Sequence, residues 1–114
     1  MVIDFSNQTG KKISTKGDKR KFINIENIMY IKCEMSLTKI FLVNGTMIHE
    51  IKTLHDFEEE LSGMGFFRIR DNIIINGNYI TEMDIKIRNR KVKLGETVFV
   101  VARNRLRSFI KWIS

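Results

Sequence analysis

The side chains that could do covalent or metal chemistry are few, and their spacing suits none of it. Cys33 is the single cysteine, and the two histidines, His49 and His55, fall on a predicted strand and a predicted helix with no nucleophile at a recognisable spacing. Cys33 could meet a histidine in space, as cysteine nucleophiles do, or serve as a small buried apolar group. Glu58, Glu59 and Glu60 are consecutive on a helix, so their carboxylates diverge and make a poor metal site. No glycine-rich phosphate loop is present. These residues argue for no enzyme, no metal and no cofactor.

Charge is the chemistry the sequence does offer. Residues 1–83 hold 11 basic and 11 acidic residues, whereas residues 84–114 hold nine basic residues against Asp84 and Glu96, which is the whole net charge of +7. A basic surface concentrated in one segment attracts polyanions, nucleic acid first among them. It could also be a solvated face that aids solubility. A second polar cluster, Arg68-Ile69-Arg70-Asp71-Asn72, stands between Phe66-Phe67 and the apolar run Ile73-Ile74-Ile75. A strand meant only for the core would not need it.

The elements that must position these groups are mostly short strands. At 114 residues without proline, repeats or a linker-like stretch, the chain suits one domain with a real core. Lys21 to Ile31 reads as strand around a turn at Glu26-Asn27, and Thr38 to Val43 as a second strand. Asn44-Gly45 is the strongest hairpin signal, pointing to a type I′ turn before a returning strand, Thr46 to Ile51. Ile85/Ile87 and Val92/Leu94 flank the turn-like Arg88-Asn89-Arg90, and Glu96 to Val101 reads as a last strand.

Two stretches read as helix. Thr53 to Leu61 opens with Thr-x-x-Asp, a capping-box-like start, and places Leu54, Phe57 and Leu61 on one face. Arg103 to Ile113 places Leu106, Phe109, Ile110 and Ile113 at the spacing of a buried stripe, with its basic residues mostly elsewhere. The expected class is mainly β, with one short mid-chain helix and a short C-terminal helix. An unpaired cysteine fits a reducing compartment. The N-terminal MVIDFSNQTG lacks the features of a signal peptide, and no apolar run nears the ~18 residues of a membrane helix. The expected location is the cytoplasm.

The order of these features resembles the LytTR-type DNA-binding domain, the output module of many bacterial response regulators. IENIMYIKC stands where that family has an I-x-Y-I-E strand, and TLHDFEEEL stands for its sL-x-x-x-E-x-x-L helix. FFRIRDNIIIN follows as its F-x-R-x-H-R-S-y-I-V-N segment, and VVARNRLRSFI as its v-S-R opening of the final helix. The resemblance covers residues 11 to 113, leaving 1–10 as an N-terminal extension to a domain of residues 11–114. It implies an elongated stack of small antiparallel sheets whose loops enter successive major grooves of double-stranded DNA. It further implies a transcriptional regulator that pairs, as a homodimer, on repeated half-sites. Some ten residues are too few for a receiver domain, so the chain is expected to be either a stand-alone regulator or the output part of a longer one.

Carried over residue by residue, base reading falls near Leu37-Thr38-Lys39, on Arg70, Asp71 and Asn72, and on Arg103. An arginine held rigidly between strand and helix can make a bidentate contact to guanine. Asn104, Arg105, Arg107 and Lys39 are candidates for phosphate contacts, which position without reading sequence. Lys39 could equally be a strand-edge lysine that blocks aggregation. Arg68 faces away from the side of Ile69 and is expected to anchor the loop by an ion pair. Asp71 could accept from a cytosine amino group or hold Arg70 or Arg103 in place.

Asp71, Ala102 and Leu37 depart from the family pattern and support a second reading. In it the same fold is a protein-interaction module that modulates a DNA-binding relative. A third reading, single-stranded RNA on stacked aromatics, has only Tyr79 and Trp112 as stacking candidates, since Phe66, Phe67, Phe99 and Phe109 suit the core.

Overall fold

In the computed structural model, which describes residues 6–114, the chain runs through ten short strands and two α-helices. The first hairpin is β1 (Lys12–Ser14) and β2 (Phe22–Asn24). Next come β3 (Ile28–Glu34), β4 (Leu37–Leu42), β5 (Met47–Glu50) and helix α1 (Leu54–Glu60). The chain continues through β6 (Phe66–Arg70), β7 (Ile73–Asn76), β8 (Ile80–Asp84), β9 (Lys91–Leu94) and β10 (Thr97–Val100). The last of four 3₁₀ turns among the described residues, Arg103–Arg105, leads into α2 (Leu106–Ile113). Three antiparallel sheets result: the two-stranded β1–β2, a five-stranded sheet ordered β5-β4-β3-β7-β6, and a three-stranded sheet ordered β10-β9-β8. The described residues span 45 × 31 × 25 Å, an elongated, mainly β body.

The five-stranded sheet is covered on both faces, and this explains its apolar run. Ile31, Ile40 and Ile74 join a core with Ile13 and Ile23 of the first hairpin and with Leu54, Phe57 and Leu61 around α1. Ile69, Ile73 and Ile75 face the other way, into a second core with Val92, Leu94 and Phe99 of the three-stranded sheet and Phe109 and Ile113 of α2. A strand with two covered faces can be apolar at every position. Each such isoleucine contributes about 1.5–3 kcal/mol of transfer free energy.

Two bulges set the phase of the sheet. The β3–β4 register shifts between Ile28 and Tyr30, so Ile28 and Ile31 reach the same core despite their odd spacing. The β6–β7 register shifts between Arg68 and Arg70, so Arg68 lies opposite Ile74 of the first core and Arg70 opposite Ile73 of the second, while Ile69 is buried. Strand β7 ends on Asn76, which is fully buried but fully used. Its amide donates to the Ile28 carbonyl at 2.8 Å and to Gln8 Oε1 at 3.0 Å, and it accepts from Gln8 Nε2 at 2.8 Å. Gln8, only 1% exposed, therefore packs as part of the fold. Of the expected extension, residues 1–5 lie outside the described residues.

Helix α1 starts as its sequence predicts. Thr53 Oγ1 accepts from the Asp56 backbone and the Asp56 carboxylate accepts from the Thr53 backbone, both at 3.1 Å, a reciprocal capping box. Two local expectations change, and one turn is new. Asn44-Gly45 makes a hairpin but not a type I′ turn, because only Gly45 has positive φ. Leu42 closes a three-residue loop by accepting from Gly45 and donating to Thr46, with the Thr46 backbone also bonded to Asn44 Oδ1. The two-residue turn with both φ angles positive is instead Met35-Ser36, at +50° and +65°. Finally, Ile85 and Ile87 lie in a loop, and the strand paired with β9 is Ile80–Asp84, held by its register with Val92 and Leu94.

Candidate nucleic-acid interface

Antiparallel register gathers distant residues at one end of the five-stranded sheet. Glu34 pairs with Leu37, Thr38 with Glu50, Lys32 with Ile73, and Ile73 with Arg70. The β3–β4 turn, the end of β5 and the β6–β7 turn therefore lie side by side. The Ala102 backbone donates to the Ile69 carbonyl at 2.9 Å, which brings the 3₁₀ turn and Arg103 to the same end.

The β6–β7 turn is fixed by charged side chains. Arg68 donates twice to the Asp71 carbonyl, at 3.1 and 2.5 Å, and pairs with Glu58 of α1 at 3.3 Å. Arg105 reaches back from the 3₁₀ turn to the Asp71 carboxylate at 2.9 Å and to the Arg68 carbonyl at 3.3 Å. Arg70 donates to the Val100 carbonyl at 3.2 Å, and the Asn72 carbonyl accepts from the Cys33 backbone at 2.9 Å. Arg105, hydrogen-bonded to Asp71, is the main reason that carboxyl is held below the usual aspartate value; the charges of Arg105, Arg68 and Arg70 act in the same direction, against partial desolvation. Asp71 is thus an ionised brace. The Arg68 ion pair is the anchor its alternation with Ile69 predicts.

Arg105, expected to contact phosphate, is held within the domain by Asp71 and the Arg68 carbonyl. It is half-buried, its Nε has no partner among the described residues, and its two terminal nitrogens each make one bond, to the Arg68 carbonyl and to Asp71. Arg103, Asn104 and Arg107 are exposed, and their side chains have no hydrogen bond or ion pair among the described residues. Ala102 precedes the turn without a side-chain cap, and the Arg105 backbone bonds to the Ala102 carbonyl. Asn72 is exposed beside Asp71. Thr38 is 3% exposed on the inward face of β4, so its side chain is not on the outer surface. Lys39 is half-buried on the opposite face, between Lys32 and His49 in the neighbouring strands.

Not every basic residue of the C-terminal segment is surface charge. Arg90 is turned inward, donating to the Val101 carbonyl at 2.9 Å and to the Ile87 carbonyl. The two aromatic stacking candidates are also engaged. Tyr79 donates to the Glu26 carbonyl, and Trp112 packs on Phe67 and Phe109 with centroids 5.1 and 5.7 Å apart. The Met35-Ser36 turn escaped the sequence reading because it carries neither asparagine nor glycine.

Comparison with known proteins agrees with this geometry. The family model of the LytTr DNA-binding domain matches residues 18–114. A solved LytTr DNA-binding domain, from a Bacillus cereus response regulator, superposes with a TM-score of 0.78 at 18% identity, covering 92% of this chain and 99% of that one. No curated protein matches by sequence. No helix of the described residues is long and apolar enough to cross a membrane. With the match spanning most of its length and the fold in common, the chain belongs to the LytTr DNA-binding domain family.

Proposed function

We propose that this domain reads double-stranded DNA with the row of turns at one end of its five-stranded sheet and regulates transcription in a bacterial cytoplasm. Arg103, Asn72 and Arg70 are the base-reading side chains. Asn104 and Arg107 contact phosphates, with Lys39 at the edge of the row. The observation that carries this reading is the contrast between the two arginines of the 3₁₀ turn. Arg105 is consumed in fixing Asp71, while Arg103, two residues earlier, is exposed and has no partner among the described residues. A rigid backbone presenting an uncommitted guanidinium suits bidentate recognition of guanine. Asp71 does not oppose this role, because Arg105 already balances its charge.

Two molecules would occupy repeated half-sites, pairing on the duplex. The test is selection of bound duplexes from a random pool, repeated with Arg103→Ala. Recovery of a defined motif, with about 1–3 kcal/mol of discrimination lost at one base position in the variant, is the expected result. An unchanged motif in the variant removes Arg103 from the reading set. The protein-interaction alternative draws on the exposed apolar tip, where Met35 is 99% and Leu37 36% exposed. It would be favoured by a pool that yields no motif and binds no better than a scrambled duplex.

A further inference from the structure

The loop of the first hairpin carries a charge cluster that the whole-chain balance conceals. Residues 11–21 read KKISTKGDKRK, six cations against the one acid Asp18. All six are exposed. Lys19, Arg20 and Lys21 form no ion pair among the described residues, and Lys16 makes only a long one, 3.8 Å, to Asp56. An exposed basic loop by itself is ordinary. The way this one is mounted is not.

Two buried charges fix its base. Glu50, 4% exposed at the end of β5, accepts from the Lys16 backbone at 3.1 and 3.2 Å and from its neighbour Ile51 at 2.7 Å. Lys52, 5% exposed, donates to the Ser14 carbonyl, pairs with Glu60 at 3.0 Å and lies over the Phe57 ring at 5.3 Å. Thr15 closes the loop, its hydroxyl and amide both bonded to Lys21 at 2.9 Å. Burying charged groups is expensive unless every one is paired, and a loop that served only solubility would not need them. The end of β5 to which the loop is tied pairs with Thr38, so it is the same end that carries the turns described above. The row of turns runs across the sheet in the order β5, β4, β3, β7, β6. At a strand spacing of about 4.8 Å, the end of β5 that anchors the loop lies roughly 20 Å from β6, which carries Arg70, at the opposite edge of that row. An open cleft of about 380 Å³ separates the loop from β5, with Lys16, Lys19 and Lys21 on one wall and residues 46–49, running back along β5 from that end, on the other.

We infer that the loop of residues 16–21 is a second DNA-contacting arm that grips the phosphate backbone beyond the base-reading turns, with Lys19, Arg20 and Lys21 as its contacts. This rests on the DNA-reading function proposed above and extends its footprint. The arm supplies affinity and salt dependence without sequence information, while Arg103 supplies preference.

The test uses the full chain with Lys19→Gln, Arg20→Gln and Lys21→Gln combined, on the pool-selected duplex and on a scrambled duplex of the same length. Thermal melting confirms that the variant folds, and Lys19→Glu alone serves as a milder second variant. The expected result is a slope of log affinity against log salt shallower by roughly 2–3, since each phosphate contact contributes about 0.9. Affinity should fall at least about tenfold on both duplexes, while the ratio between them stays unchanged. Unchanged slopes on both duplexes overturn the arm. If the wild type shows no preference between the duplexes, base reading fails, but the slope on the scrambled duplex still decides the arm.

Discussion

The β6–β7 turn presents Asp71 and Asn72 on a backbone held by Arg68, Arg105 and, through Arg68, by Glu58 of α1. The β3–β4 turn beside it presents Met35 and Ser36, both at positive φ, with no side-chain hydrogen bond among the described residues. One turn is built from interactions that span 34 residues of sequence. The other rests on a backbone conformation that L-residues adopt at a cost. The difference separates a rigid reading element, whose charges are spent internally, from a strained and exposed tip. Rigid presentation favours discrimination between bases, because ordering a long side chain costs roughly 0.5–1.5 kcal/mol of the about 1–3 kcal/mol that a bidentate contact returns.

The largest way to break this contrast is to remove the brace. Arg105→Ala leaves the Arg68 carbonyl without its donor, which costs about 1 kcal/mol of stability. It also takes from the exposed Asp71 carboxylate its hydrogen-bonded cation, leaving its charge less balanced beside the approaching phosphates. The expected outcome is a loss of at least about tenfold in affinity for the selected duplex, larger than the loss in melting temperature would suggest. Asp71→Asn should then recover part of that affinity in the Arg105→Ala background, while doing little in the wild type. If Arg105→Ala instead mirrors Arg103→Ala, with preference lost at one base and no rescue by Asp71→Asn, then Arg105 reads DNA and the brace is incidental.

How much of this was legible depended on whether the cause was local. The capping box of α1 is written in four consecutive residues, and it formed as read. The ion pair of Arg68 followed from its alternation with Ile69, although its partner, Glu58, lies on another element. Arg103 and Arg105 could not be told apart by sequence, because what distinguishes them is Asp71, brought close only by the register of β6 with β7 and the Ala102–Ile69 bond. Thr38 looked available because nothing in TKIFLV fixes which face of the strand is covered. The pairing of Thr38 with Glu50 on the inner face decides it. Asn44-Gly45 named a hairpin correctly and its turn type wrongly, since that pair suits more than one loop length. The basic arm disappeared when charge was averaged over residues 1–83.

A smaller change should sharpen the contrast from the other side. Met35→Asn with Ser36→Gly gives the β3–β4 turn residues that accept positive φ. Relief of strain should stabilise the fold by about 0.5–1 kcal/mol. For a domain of this size that raises the melting temperature by roughly 2–6 °C. DNA preference should not change, because the proposed reading side chains, Arg70, Asn72 and Arg103, sit on the β6–β7 and 3₁₀ turns. A lost motif in this variant would make Met35 or Ser36 part of the reading surface.

The smallest expected effect lies in titration. Asp71 is ionised more readily in the folded protein than in the unfolded chain, because Arg105 donates to it and the neighbouring arginines favour its charge. Its contribution to stability is therefore complete above the unfolded value of about 3.9 and is lost only as pH falls through the lower folded value. Between about pH 5 and 8 the brace should not respond to pH at all. Carboxyl carbon NMR should place the Asp71 midpoint below the ordinary aspartate value, and Arg105→Ala should raise it towards that value. A midpoint at or above the ordinary value in the wild type would mean that the pair does not form in solution. The β6–β7 turn would then be no better fixed than the β3–β4 turn beside it.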